Sequence, residues 1–202
     1  MKERLIVGIS GASGMPLAIE LLRQLKGQEQ IETHLVCSGA AEVTLREESD
    51  LSLEELHRLA DVVYDNRNIG AGPASGSFRA KGMIVVPCSM KTAAGIACGY
   101  SDSLLLRAAD VMIKERRKLV LAVRECPFSP IHLRNLYDLS MMGVVILPMM
   151  MSFYNRPKEI GDCVTHLAGK ILDQFGIEGS GFKRWEGLFG EPYAGERAGD
   201  DR

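Results

Sequence analysis

The stretch Leu5-Ile6-Val7-Gly8-Ile9-Ser10-Gly11-Ala12-Ser13-Gly14-Met15 decides the fold. An apolar run comes first, then a turn of small residues, then a new apolar pattern. A strand that is apolar on both faces belongs inside a parallel sheet covered by helices. From Met15 to Lys26 the period changes, and Leu17, Leu21, Leu22 and Leu25 recur at helical spacing. Working outward, four more short apolar runs appear at Ile31–Cys37, Met83–Pro87, Leu119–Val123 and Val144–Leu147. Helical patterns fill Ala40–Glu47, Ser52–Ala60, Ser103–Arg117, Ile131–Met142 and Ile160–Phe175. This alternation predicts an α/β, doubly wound parallel sheet with right-handed crossovers.

The 202 residues suit one domain, read as 1–189, with a polar, Gly-rich tail at 190–202 that is expected to fray. Apolar residues make up 46% and charged residues 25%, which excludes a mainly disordered chain. A net charge of −2 gives no sign of a general nucleic-acid binder. No apolar run reaches the roughly 18 residues of a membrane helix, and the longest, Gly143–Met151, is broken by Pro148. The N-terminal run stops at Gly8, too early for a signal peptide, so the chain reads as cytoplasmic. Five widely spaced cysteines form no C-x-x-C pair and read as reduced, mostly buried thiols. The four histidines show no ligand spacing, so no metal site is expected. Asp65–Ala80, rich in Gly, Ser, Asn and Pro, reads as a long functional loop.

In an open parallel sheet, ligands bind beyond the carboxyl ends of the strands. The residues there are Ser10-Gly11-Ala12-Ser13-Gly14, Cys37-Ser38-Gly39, Cys88-Ser89-Met90-Lys91-Thr92, Arg124-Glu125-Cys126 and Pro148 with three methionines, followed by Phe153-Tyr154. Small residues admit a ligand close to the backbone, and a helix N-terminus offers free N–H groups to an anion. Hydroxyls, cations, a carboxylate and an aromatic on one rim suit a phosphorylated ligand with a flat apolar part. Singly, the same residues also read as a tight turn, a helix cap, a solvated charge pair and core-filling methionines.

A nicotinamide site is a rival, because Gly8-x-x-Gly11-x-x-Gly14 and Tyr154-x-x-x-Lys158 mimic reductase motifs. No Asp or Glu stands at the end of the second strand for a ribose, and Pro157 interrupts any helix joining Tyr154 to Lys158.

Several blocks recur together in the right order: Gly11-Ala12-Ser13-Gly14, Pro73-Ala74-Ser75-Gly76-Ser77, Pro87-Cys88-Ser89-Met90-Lys91-Thr92, Arg107-Ala108-Ala109-Asp110-Val111, Lys114-Glu115-Arg116-Arg117, Arg124-Glu125 and Phe153-Tyr154-x-Arg156-Pro157. They resemble the flavin prenyltransferase (UbiX-like) family from about Arg4 to Trp185, especially bacterial members associated with hydroxyarylic-acid decarboxylases. The resemblance implies a flavodoxin-like or Rossmann-like fold in a homododecamer. It also implies metal-independent transfer of a dimethylallyl group from dimethylallyl monophosphate to N5 and C6 of reduced FMN. The prenylated FMN then serves a UbiD-type decarboxylase.

The same resemblance assigns Gly11, Ala12, Ser13, Ser38, Ser89, Met90, Lys91, Thr92 and Arg124 to FMN. It assigns Tyr154 and Lys170, supported by Arg107 and Lys114, to the donor phosphate. Many members carry Arg where Lys170 stands, which keeps the charge and loses the bidentate fork. Glu125 matches a proton-relaying carboxylate with Ser13 nearby, and Glu48 and Trp185 match active-site positions. Trp185 reads equally as an interface anchor or as a face for an allyl cation. Two alternatives stay open at this point. One is a non-catalytic flavin-binding subunit of a decarboxylase. The other is a flavin-dependent peptidyl-cysteine-type decarboxylase, although Pro148-Met149-Met150-Met151 lacks the Asn of that group's Pro-x-Met-Asn segment.

Overall fold

The computed structural model describes residues 2–185 and 187. The expected frayed tail, 190–202, lies outside the described residues. Six parallel strands form one sheet: β1 Glu3–Ile9, β2 Ile31–Cys37, β3 Val62–Asp65, β4 Gly82–Cys88, β5 Lys118–Val123 and β6 Val145–Ile146. Their order across the sheet is β3-β2-β1-β4-β5-β6. The order reverses between β1 and β4, so the crevice for a ligand opens above those two strands.

The helices are α1 Met15–Lys26, α2 Gly39–Glu48, α3 Leu53–His57, α4 Met90–Ala97, α5 Leu104–Lys114, α6 Pro130–Met141 and α7 Ile160–Asp173. The period of two along each strand separates two cores. Leu5, Val7 and Ile9 of β1 face one side, where α1, α2, α3 and α7 pack. Ile6 of β1 and Met83 and Val85 of β4 face the other, where α4, α5 and α6 pack. Near-continuous burial of β1 and β4 follows from cover on both faces.

The edge strand β3 was not expected. It is four residues long, half-exposed in alternation, and held by β2 through His34↔Val62 to Cys37↔Asp65. The long loop therefore begins at the last residue of a strand, and it carries a 3-10 turn at Gly72–Ala74. Among the cysteines only Cys88 and Cys163 are buried, while Cys98 and Cys126 are exposed, so the mostly buried reading is corrected. All five are free thiols, and burial pushes Cys37 and Cys88 up to about 12. No described helix is long and apolar enough to cross a membrane.

Candidate active site

The rim is built from strand ends laced together by backbone hydrogen bonds. Ser38 N–H donates to Ile9 O at 2.9 Å, and Arg124 N–H donates to Cys88 O at 3.0 Å. At the switch point the lacing uses a side chain. Ser10 is 1% exposed, its hydroxyl donates to Pro87 O at 2.8 Å, and it accepts from Ser89 N–H at 2.8 Å. Ser10→Ala leaves that amide without its acceptor. The expected loss of stability is about 1–3 kcal/mol, read as a lower midpoint in denaturant or thermal unfolding.

Gly11 and Gly14 have different physical reasons to be glycine. A Cβ on Gly11 would lie 2.3 Å from that of Ala40, so the turn touches the start of α2. Gly14 sits at φ +125, where side chains are strained, and a Cβ there would meet Met149 at 2.4 Å. Ala12 is buried and offers only its backbone to the rim.

The N-terminus of α1 is not open in the way the sequence implied. The amides of Gly14 and Met15 both donate to Glu48 Oε2, each at 2.8 Å. Glu48, at the end of α2, thus caps a helix it does not belong to. Burial works against its charge. The Ser13 hydroxyl, those two amides and the nearby Arg124 outweigh burial and hold the carboxyl below the ordinary range.

The start of α4 is arranged differently. Ser89 Oγ accepts from Thr92 N–H at 3.3 Å and lies 3.0 Å from Thr92 Oγ1. Helix geometry leaves the first-turn amides of Met90 and Lys91 without intrahelical acceptors. The Met90 side chain is buried in the core, so at the rim only its backbone is available. Ser38 spends its hydroxyl as the cap of α2, accepting from Ala41 N–H at 3.2 Å. The exposed Arg124 forms no ion pair among the described residues. Glu125 Oε1 accepts from Cys126 N–H at 3.1 Å, so the solvated Arg124–Glu125 pair is not formed. Amides, hydroxyls and an unpaired cation fit the phosphate-bearing flavin that the resemblance implies.

Two hollows adjoin on this rim. A groove of about 460 Å³ is lined by Ser13, Gly14, Glu48, Met149, Met151 and Cys163. A smaller one of about 180 Å³ lies against Arg124, Glu125, Cys126, Met149 and Met150. Met149 lines both, while Met150 and Met151 are 68% and 61% exposed. Met150 and Met151 are exposed walls of these hollows, while Met149 also packs against the core. A larger hollow of about 630 Å³ sits at the opposite end of the sheet, among Lys2, Arg4 and Arg79, where β1 and β4 begin, remote from the carboxyl ends of the strands.

Tyr154 is 51% exposed and its hydroxyl lies 3.2 Å from His166 Nε2. Trp185 meets Tyr154 edge to face, with centroids 5.5 Å apart. Lys170, one turn beyond His166 on α7, lies 3.8 Å from Asp173. Tyr154, Lys170 and Trp185 therefore gather around the α7 face of the sheet. Arg107 and Lys114 do not join them. Both belong to α5 on the opposite face, where Arg107 pairs with Asp110 at 2.5 Å and donates to Ala74 O at 3.2 Å. Lys114 pairs with Glu115 beside Gly76. One chain does not assemble the four-residue phosphate set, because the sheet stands between its halves. His166 carried no signal of its own in the sequence; the one available hint was its spacing of four from Lys170.

The flavoprotein family model matches residues 1–173. A probable UbiX-like flavin prenyltransferase of Sedimentibacter hydroxybenzoicus is 52% identical over 184 residues, covering 91% of this chain and 97% of that protein. The crystal structure of AnUbiX (PadA1) in complex with FMN and dimethylallyl pyrophosphate superposes with a TM-score of 0.91 at 45% identity, over 93% of this chain and all of that one. The dodecameric FMN-dependent UbiX-like decarboxylase from Escherichia coli O157:H7 gives 0.90 at 49%, over 91% and 100%. The FMN-dependent cysteine decarboxylase TvaF, at 16% identity and a TM-score of 0.59 over 72% and 90%, shares the fold alone. The rim geometry and these likenesses agree: the chain belongs to the flavoprotein family and, within it, to the UbiX-like flavin prenyltransferases.

Proposed function

We propose that residues 1–189 transfer a dimethylallyl group from dimethylallyl monophosphate to reduced FMN, and that the prenylated FMN passes to a UbiD-type decarboxylase in the cytoplasm. The observation that carries this reading is the presence of two distinct polar poles in the chain. One holds amides, hydroxyls and Arg124 above β1, β4 and β5. The other holds Tyr154, Lys170 and Trp185 beside α7. A site for one ligand needs only the first pole.

Bound FMN supplies the nucleophilic N5 and then C6, where the dimethylallyl carbons become attached. Lys170 and the Tyr154 hydroxyl hold the phosphate and stabilise its charge as the C–O bond of the donor breaks and the oxygen keeps the electron pair. In this reading Arg107 and Lys114 come from a second subunit of the homo-oligomer, which their place on the far face of the sheet supports. Trp185 offers an aromatic face to the developing allyl cation, worth up to about 2 kcal/mol when desolvated. Glu125 moves a proton through the carboxyl oxygen not held by Cys126 N–H, with Ser13 across the adjoining groove. Holding donor and acceptor in one site makes the attack effectively unimolecular.

The test is an anaerobic incubation of the purified protein with reduced FMN and dimethylallyl monophosphate, followed by mass spectrometry of the extracted flavin. The expected result is a gain of one C5H8 unit. Tightly bound but unmodified FMN overturns the reading, and a parallel reaction with the pyrophosphate separates the two donors.

A further inference from the structure

His166 is 4% exposed, yet its ring has one polar partner among the described residues. Nε2 lies 3.2 Å from the Tyr154 hydroxyl oxygen. Nδ1 is buried and meets no polar atom among the described residues. Aromatic rings account for the dryness. Tyr154 stands edge-on to the imidazole at 5.6 Å, and Phe182 packs against it at 5.1 Å.

That arrangement fixes the tautomer. With the proton on Nδ1, a buried N–H has no acceptor, and the Tyr154 hydroxyl must donate inward to Nε2. With the proton on Nε2, the imidazole donates to Tyr154 and only a lone pair is orphaned. Buried orphan N–H groups are the rarer and costlier of the two. The doubly protonated ring is disfavoured as well, because burial, and then the charge of Lys170, hold His166 below the ordinary histidine range.

We propose that His166 is a positioning residue whose Nε2–H holds the Tyr154 oxygen as an acceptor, so that the phenol's own proton points away from α7 toward the donor phosphate. A hydroxyl that accepts one hydrogen bond is a stronger donor of the next. Lys170 rises from the same helix face one turn on, so one rigid element sets the spacing of both groups. The inference rests on the reading of Tyr154 as a phosphate ligand.

The test uses two polar variants of similar size. His166→Gln places an amide N–H where Nε2 stands; His166→Asn places one near Nδ1, out of reach of Tyr154. Steady-state prenyl transfer is measured against dimethylallyl monophosphate, with FMN affinity as the control for folding. His166→Asn is expected to raise the donor KM roughly tenfold, the worth of one charge-assisted hydrogen bond, while His166→Gln stays within about threefold. FMN affinity is unchanged in both. In a Tyr154→Phe background the two variants give the same KM. Equal KM values for the two single variants, or a difference that survives without the Tyr154 hydroxyl, overturn the inference. A wild-type protein that leaves FMN unmodified refutes the prenyl-transfer reading instead.

Discussion

Lys114→Ala and Tyr154→Phe, each nearly inactive as a pure protein, are expected to restore turnover when combined in one oligomer. On the proposed function each single variant removes a donor to the leaving phosphate, an expected loss on the order of a hundredfold in kcat/KM. Recovery follows from where the fold puts them. Tyr154 stands by α7 against one core, and Lys114 ends α5 against the other. Lys114 is also ten residues along α5 from the rim, roughly 15 Å at 1.5 Å per residue. No rotamer carries its ammonium through a six-stranded sheet to the Tyr154 hydroxyl. A site that uses both must draw them from different chains. Random assembly of the two variants leaves on the order of a quarter of such sites with both residues intact, by the symmetry of a closed oligomer. Co-expression under two affinity tags, purification through both, and single-turnover analysis of the flavin provide the measurement. Mixed oligomers no more active than the mean of their parents place both residues in one subunit's site or remove Lys114 from the chemistry.

The same separation shows what the sequence could not display. Motif matching placed Arg107 and Lys114 beside Tyr154 because a motif has no inside or outside. The face that a helix covers depends on which side of the sheet its crossover takes, and no residue of α5 encodes that alone. Strand β3 escaped notice for a related reason. Val62-Val63-Tyr64-Asp65 is short, half-polar and bounded by Asp61, so it lacks the apolar run that announced β1 and β4. It is a strand because β2 offers it a ladder. Where both faces are buried, the pattern was legible nearly to the residue. Ile31–Cys37 matches β2 in full, Met15–Lys26 matches α1, and Leu119–Val123 misses only the first residue of β5. Met149 to Met151 read from sequence either as part of the rim or as core filler, since apolar residues at a ligand rim look the same as apolar residues under it, and Met150 and Met151 prove exposed.

The site's polar half was partly legible. Ser10, Ser38 and Ser89 stand just past strand ends, where caps and ligand contacts draw on the same residue types. The structure gives Ser38 and Ser89 to caps and Ser10 to the β1–β4 staple. The hydroxyl of Ser89, shared with Thr92, is still at the rim. His166 was illegible, because its role depends on a hydroxyl twelve residues away across a proline-containing turn.

Replacing Glu48 with Gln is expected to loosen the turn at Gly11–Gly14 and to remove part of the protein's acid sensitivity. An α-helix start presents amides without acceptors and the positive end of a dipole. In α1 that demand is met by a residue more than thirty positions away in the chain, through two hydrogen bonds of 2.8 Å to one oxygen. A neutral amide oxygen accepts from the same two groups more weakly, and the charge that Arg124 and the dipole favour is lost. The expected cost is about 1–2 kcal/mol, the range of a helix cap with its dipole interaction. FMN affinity falls as well, because the Gly11 turn is pinned between this cap and Ala40. The pH dependence has a definite sign. Glu48 is held below the ordinary carboxyl value of 4.5, so its contribution is complete above that pH. It declines as pH falls, and it is gone once Glu48 is protonated in the folded protein. Denaturant midpoints measured from neutral pH downward are therefore expected to show a constant gap between wild type and Glu48→Gln above pH 4.5, and a narrowing gap below it. A gap that stays constant into acid means that the carboxylate's charge contributes nothing to the cap. A gap that is absent at neutral pH means that Gly14 and Met15 are served equally well by a neutral acceptor.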